Sequence, residues 1–524
     1  MTLDNTGAEL IDSWKMLFSD NFQPHSYQAM KIEGEIPKDL VGEYHQMGPR
    51  NFHNFSNIIL ADGLLRSVRI KEGKAECAVS IIEAKTGSLS VEDSDFDQHG
   101  TYKSLKDKFK YLLKGLAPVK NVASTNIIAW GNGAWGDGEQ TSKEGLVGLF
   151  EVAKPTVIHS EKNTYQSIQE TDFEGAIKGS FTAHPHWLPK QNCGYAFGQR
   201  FGLTGVKLDI YKLSVAEDGR KNTECIQTIN LKRQCFGFIH DFAVIENYLI
   251  FCIPPVDMGL METINIARGE SPITTPKCRP ELGSQILVVP IAEPENYQFF
   301  KADPFFALHF ANGYQTDSSL IFDCVISPDT KVYHVLNHIH KASSKSELAD
   351  IYPELYLSEN KYGRMNRITL DLANGQVSCK PLSKESVEFP RINSHFQGQE
   401  YRYIYSLSHA KGFLKIEPWF SAIRKFDLKC YLGGEDNLEE EGDQFYYLPK
   451  HHYALEPVFV RKPASESADE DDGYVLSCVL DAEKQNSYLL ILDAKNIEKG
   501  PLAKLSFGQA LPIAFHGNFI SKLN

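Results

Sequence analysis

Four of the 17 histidines in this 524-residue chain share one kind of setting. His184 in FTAHPHW, His240 in FIHDF, His309 in ALHFANGY and His516 in IAFHGNF each fall at the end of an apolar, strand-like run, near Pro, Asp, Asn or Gly. A buried imidazole needs a hydrogen-bond or metal partner. Taken singly, each is more often a satisfied core residue than a ligand. Separations of 56, 69 and 207 residues between successive members exclude a single helix or hairpin as their scaffold. Four imidazoles with no thiolate or carboxylate among them suit a divalent iron, copper or zinc, and open positions would make the site catalytic.

Other histidines compete. His186 lies two residues beyond His184 and would point the same way along a strand. His334, His338 and His340 crowd into YHVLNHIHKA, where the last two alternate as on one strand face. No acidic or sulfur partner is close to that trio, so it reads as structural.

The element that must gather distant residues is β-rich. ILADGLLRSVRIKEG and AECAVSIIEA alternate apolar and polar residues around a tight turn at Glu72-Gly73, which is hairpin grammar. The pattern recurs in GYAFGQRFGLTGVKLDIYKLSV, ENYLIFCIPPV, SLIFDCVISPDTKVYHVLN, RMNRITLDLANGQVSCKPL, YRYIYSLSHA and DGYVLSCVLDAEKQNSYLLILDA. Helical periodicity is scarce. Many short strands with Gly, Pro, Asn and Asp turns indicate an all-β sandwich, barrel or propeller. A sandwich is too small for this chain, whereas seven blades of roughly 40 to 45 residues leave room for long loops. The expectation is a seven-bladed propeller capped by loops and a few short helices. Its innermost strands converge on the axis, where residues from different blades can ring one metal.

Composition bounds the partners. A net charge of -13 argues against a nucleic-acid binder. The start, MTLDNTGAELIDSWKM, lacks the positive and apolar regions of a secretion signal, and no run approaches the roughly 18 apolar residues of a spanning helix. Ten scattered cysteines without a CxxC pair read as reduced thiols. These features together give the expectation of a cytoplasmic protein. One segment, 102–121, departs from the β pattern. Leu105, Phe109, Leu112, Leu113 and Leu116 fall near helical spacing with five interspersed lysines, which suits either a basic amphipathic helix on a membrane surface or a surface helix packed on the propeller. The acidic runs 437–444 and 466–472 read as solvated loops.

The four histidine motifs resemble those of the carotenoid cleavage oxygenase family. The similarity runs nearly end to end, through GEIPKDLVGEYHQMGP, VASTNIIAWGNGAWGDGE, EFPRIN with GQEYRYIY, and EPVFV to the terminal FHG. What the resemblance implies is one propeller domain over 1–524, with an N-terminal extension over about 1–25 and the membrane-contact segment at 102–121. It implies Fe(2+) on His184, His240, His309 and His516, with glutamates accepting from three of those imidazoles. The matching positions are Glu139, with Asp137 a near competitor, Glu388 and Glu456. It implies a dioxygenase that takes a lipophilic polyene and O2 and cleaves one conjugated double bond to two carbonyl products. Within the same iron site, stilbene cleavage, with Lys120 as a substrate-contacting residue, and retinoid isomerisation are the alternatives. An inactive propeller that carries carotenoids or acts as a scaffold is the non-enzymatic one. The chain departs from the family at ILADG, at Gln46, and at Asn312-Gly313 with Gln315, none of them an implied ligand.

Overall fold

The computed structural model describes residues 13–50, 52, 61–83, 104, 122–129, 146–161, 163–202, 204–216, 221–233, 235, 238–259, 262, 276–342, 344–351, 362–409, 419–431, 442–463 and 469–521. Over these residues the chain forms seven antiparallel sheets arranged as the blades of a propeller, plus one two-stranded ribbon. In chain order the innermost strands are Asn126–Ala129, His186–Leu188, Ala243–Ile245, Phe306–Gln315, Val387–Arg391, the pair His452–Ala454 and Val458–Arg461, and Gly517–Ser521.

Strand patterning sets the blades. Gly63–Lys71 and Lys74–Ile82 pair down to Lys71 opposite Lys74, and the two turn residues, Glu72 and Gly73, have φ of 52° and 72°. Two positive φ values in a two-residue loop match the twist of a hairpin, so the tight turn follows from the Glu-Gly pair. Central strands are buried on both faces, as in Gly473–Asp481, where every residue is buried between neighbouring blades. Alternation is consequently weaker there than on outer strands.

Both ends of the chain close the ring. Lys31–Gly34 pairs with Pro501–Ser506, and Gly42–Pro49 pairs with Gly517–Ser521, with Gln46 opposite Gly517. An early strand therefore extends a late blade and the last strand completes a blade built from early ones, and this closure carries His516 beside residues from the first half of the chain.

Two expectations are corrected. The histidine-rich stretch is not a strand: Lys331–His338 is an α-helix, so His334 and His338 stand one helical turn apart. The acidic runs are not wholly solvated either. Asp443 is fully buried and 2.6 Å from the equally buried Arg424. Glu470 accepts the backbone N–H groups of Arg402 and Tyr403, and Asp471 pairs with Lys425 at 2.6 Å. These carboxylates tie loops to blades, where an unpaired buried cation would be costly. All ten cysteines are unpaired with one another.

Candidate metal centre

The four histidines meet on the propeller axis. Each is buried, and their ligand atoms all lie within 4.8 Å of one another. His184, His240 and His516 occupy the residues just before innermost strands, whereas His309 sits inside one. That strand is irregular on both sides of Phe310, with register shifts from Ala307 to Phe310 and from Phe310 to Asn312. Bulges re-aim side chains, and the first of these two irregularities contains the turned-in imidazole. His516 is pinned from both sides of its peptide, donating its N–H to the Thr125 carbonyl and accepting from the Met47 N–H. The glycine that follows has a reason as well, because a Cβ on Gly517 would stand 2.6 Å from the His45 carbonyl oxygen.

Nε2 of His240 is 3.0 Å from Nε2 of His184 and 3.2 Å from Nε2 of His309. Carboxylates stand behind three of the rings. His309 donates through Nδ1 to Glu388 at 2.6 Å, and His516 donates through Nδ1 to Glu456 at 2.8 Å. Nδ1 of His240 is 3.2 Å from Glu151, without the alignment of a full hydrogen bond. Proton donation from Nδ1 leaves a lone pair on Nε2 facing the cluster.

Electrostatics follow from burial and these partners. Burial, reinforced by the other three imidazoles, drives His184 well below the usual histidine range and keeps it neutral. Burial also opposes charge on His309, but Glu388 overrides it and the net shift is upward. His516 stays lowered by burial, with Glu456 opposing. Burial would raise Glu456, yet Arg391 and His516 hold it down at about 2. Glu151 is likewise lowered against its burial by His240.

Sequence reasoning named Glu388 and Glu456, and the fold brings both to the imidazoles. Glu139 lies outside the described residues, as do Leu105, Phe109, Leu112, Leu113, Leu116 and Lys120. The carboxylate found beside His240 belongs to Glu151, which the sequence reading missed. Its signal was a lone acid in the apolar run LVGLFEV, where a solvated carboxylate is out of place. Asp241, which the sequence reading left without a role, accepts from His186 Nε2 at 2.8 Å. Phe389 is a further addition. Its φ of 54° is rare for a bulky residue, and its ring lies 5.3 Å from those of both His309 and His516.

Tyr333 of the helix Lys331–His338 packs its ring 5.6 Å from Phe238 and 5.5 Å from Phe306, which precede His240 and His309 closely in the chain. Its buried hydroxyl has no partner among the described residues. Burial raises this phenol well above its usual range, and Glu151 and Glu388 push the same way. Beyond the histidines, a cavity of about 170 Å³ runs along the innermost strands and is lined by His184, His309 and His516 together with His186, Asp241 and Arg391.

The retinal pigment epithelial membrane protein family model matches residues 18–521. The carotenoid 9,10(9',10')-cleavage dioxygenase 1 of Pisum sativum is 25% identical, over 96% of this chain and 90% of its own length. The apocarotenoid-15,15'-oxygenase of Synechocystis is 24% identical, over 97% and 96% respectively. A solved structure of cobalt-substituted Synechocystis ACO superposes with a TM-score of 0.73 at 20% identity, covering 98% of this chain and 99% of that one, which supports the propeller fold. No helix among the described residues is long and apolar enough to cross a membrane. With the family model spanning nearly the whole chain, the protein belongs to the retinal pigment epithelial membrane protein family, that of the carotenoid cleavage oxygenases.

Proposed function

We propose that this chain is an Fe(2+)-dependent dioxygenase that cleaves one conjugated double bond of a carotenoid or apocarotenoid to two carbonyl products. The observation that carries the reading is the convergence of four buried histidine nitrogens with carboxylates behind three of them. The residues fit a cation. Nε2 lone pairs 3.0 and 3.2 Å apart repel one another in a buried site, and a divalent ion removes that repulsion. Four neutral nitrogen donors suit iron and leave positions for reactants. A bound Fe(2+) supplies the redox chemistry by which O2 reacts with a polyene.

The protein's own share is placement. Glu151, Glu388 and Glu456 fix which nitrogen of each ring carries the proton and how the ring is turned. Phe238, Phe306 and Tyr333 pack ring against ring in the core beside the chain segments that carry His240 and His309. Aromatic faces also stabilise positive charge that develops along a polyene. Fixing one double bond of a long chain against the centre converts a diffuse encounter into an oriented one.

The test is anaerobic reconstitution with Fe(2+), then oxygen, with carotenoids, apocarotenoids, stilbenes and retinoid esters supplied in turn and products identified by mass. Cleavage of a carotenoid or apocarotenoid is expected. Turnover of stilbenes or isomerisation of retinoid esters alone would reassign the substrate, and iron without turnover of any would defeat the oxygenase reading.

A further inference from the structure

Glu151, Glu388 and Glu456 account for three ligands, and His184 is the fourth. Among the described residues no carboxylate pairs with it. Its main-chain N–H bonds to the Thr182 hydroxyl, which fixes the backbone but not the ring. Two residues on, however, His186 donates from Nε2 to Asp241 Oδ1 at 2.8 Å. Asp241 is 4% exposed and follows the ligand His240 directly in the chain. The same Oδ1 accepts the Phe242 N–H at 2.8 Å, and Oδ2 accepts the N–H of Phe310 at 2.9 Å, the residue after the ligand His309. One carboxylate thus joins three adjacent innermost strands, each within two residues of a ligand.

We propose that Asp241 is the positioning residue for His184, setting the separation between the His184, His240 and His309 strands through His186 and the Phe310 amide. This rests on the metal reading above. The geometry explains why a fourth carboxylate is not needed on the His184 ring itself. His184 lies just before a short strand, His186–Leu188, whose first residue is the one that Asp241 holds. The Phe310 amide sits between the two register shifts of the His309 strand, so the carboxylate also anchors the irregular segment that turns His309 inward. Asparagine has the same shape but only one accepting oxygen, so Asp241→Asn must give up either the Phe310 N–H or the Phe242 N–H, and in the arrangement that keeps Phe310 the His186 bond survives only with the ring in its other tautomer, accepting rather than donating.

The test uses the full chain loaded with Co(2+), whose visible absorption reports the arrangement of its nitrogen donors. Asp241→Asn and His186→Phe are compared with wild type for cobalt affinity, absorption spectrum and thermal midpoint. Both variants are expected to bind cobalt roughly 10- to 100-fold more weakly with a shifted visible band. His186→Phe leaves the buried Asp241 carboxylate with only its backbone donors and is expected to lower the midpoint modestly, so the metal readouts are taken well below both midpoints, where they stand apart from folding. Wild-type affinity and spectrum in His186→Phe would overturn the proposal, whether or not Asp241→Asn folds. Failure of wild type to take up cobalt would overturn the metal reading itself.

Discussion

Arg391 grips Glu456 through Nε and Nη2, each 2.9 Å from a different carboxylate oxygen, while the same carboxylate receives Nδ1 of His516. The Gly517 amide is a fourth donor, at 2.8 Å. Among the described residues Glu388 has no such cation, and this separates two otherwise parallel pairs. His309 beside Glu388 is raised above the usual histidine range, whereas His516 beside the neutralised Glu456 is not.

That difference separates two substitutions. Glu456→Gln leaves the Arg391 guanidinium without its anion and is expected to cost the metal-free protein about 2 to 4 kcal/mol. Glu388→Gln exchanges one acceptor for another and is expected to cost about 1 kcal/mol. Both should weaken metal binding by about 10- to 100-fold. Urea denaturation of metal-free protein and competitive cobalt titration measure the two effects. Equal stability losses would contradict the role given to Arg391.

The assignment of the His240 partner is testable in the same way. Glu151→Gln is expected to weaken metal binding by roughly 10-fold, at the lower end for such partners because the contact is the longest of the three. Glu139→Gln should leave binding unchanged. The opposite ranking would return the role to Glu139.

The Glu470 carboxyl gives a pH dependence away from the metal. Burial pushes it up to about 7, against the pull of the Tyr403 and Arg402 amides. A carboxyl whose folded pKa exceeds its unfolded value holds its proton more tightly when folded. Its stabilising contribution is therefore complete at low pH and is lost as pH rises from about 4.5 to about 7. Wild type should lose about 1 to 3 kcal/mol more than Glu470→Gln between pH 5 and pH 8, as read from urea midpoints. Parallel pH profiles for the two proteins would show that Glu470 does not titrate in this range.

We propose the segment 102–121, of which only Ser104 is described, as a membrane contact for uptake of a lipophilic substrate. Deletion of residues 103–116 is expected to abolish co-sedimentation with anionic liposomes while bound iron is retained. Liposome binding that survives the deletion would return the five lysines to an ordinary solvated face.

The fold class was legible because hairpin signals such as Glu72-Gly73 act locally. The four histidines that meet on the axis were legible through repeated apolar–His settings and through family resemblance. Glu151 was not, since its function depends on a neighbouring blade that brings His240 to it, and sequence order says nothing of that contact. Asp241 was overlooked for a related reason: its partners, His186 and the Phe310 amide, come from the blades on either side. The helix at Lys331–His338 was misread as strand because His338 and His340 alternate, although a two-residue alternation is too short to distinguish the periods.

The central claim is that this chain adds dioxygen across a polyene double bond at an iron held by His184, His240, His309 and His516. The most direct measurement is single-turnover reaction of the iron-loaded protein with ¹⁸O₂ and an apocarotenoid, with product masses read before carbonyl exchange. About one iron per chain and one labelled oxygen in each of the two carbonyl products are expected. Bound iron with no cleavage, or label confined to one product, would contradict the account.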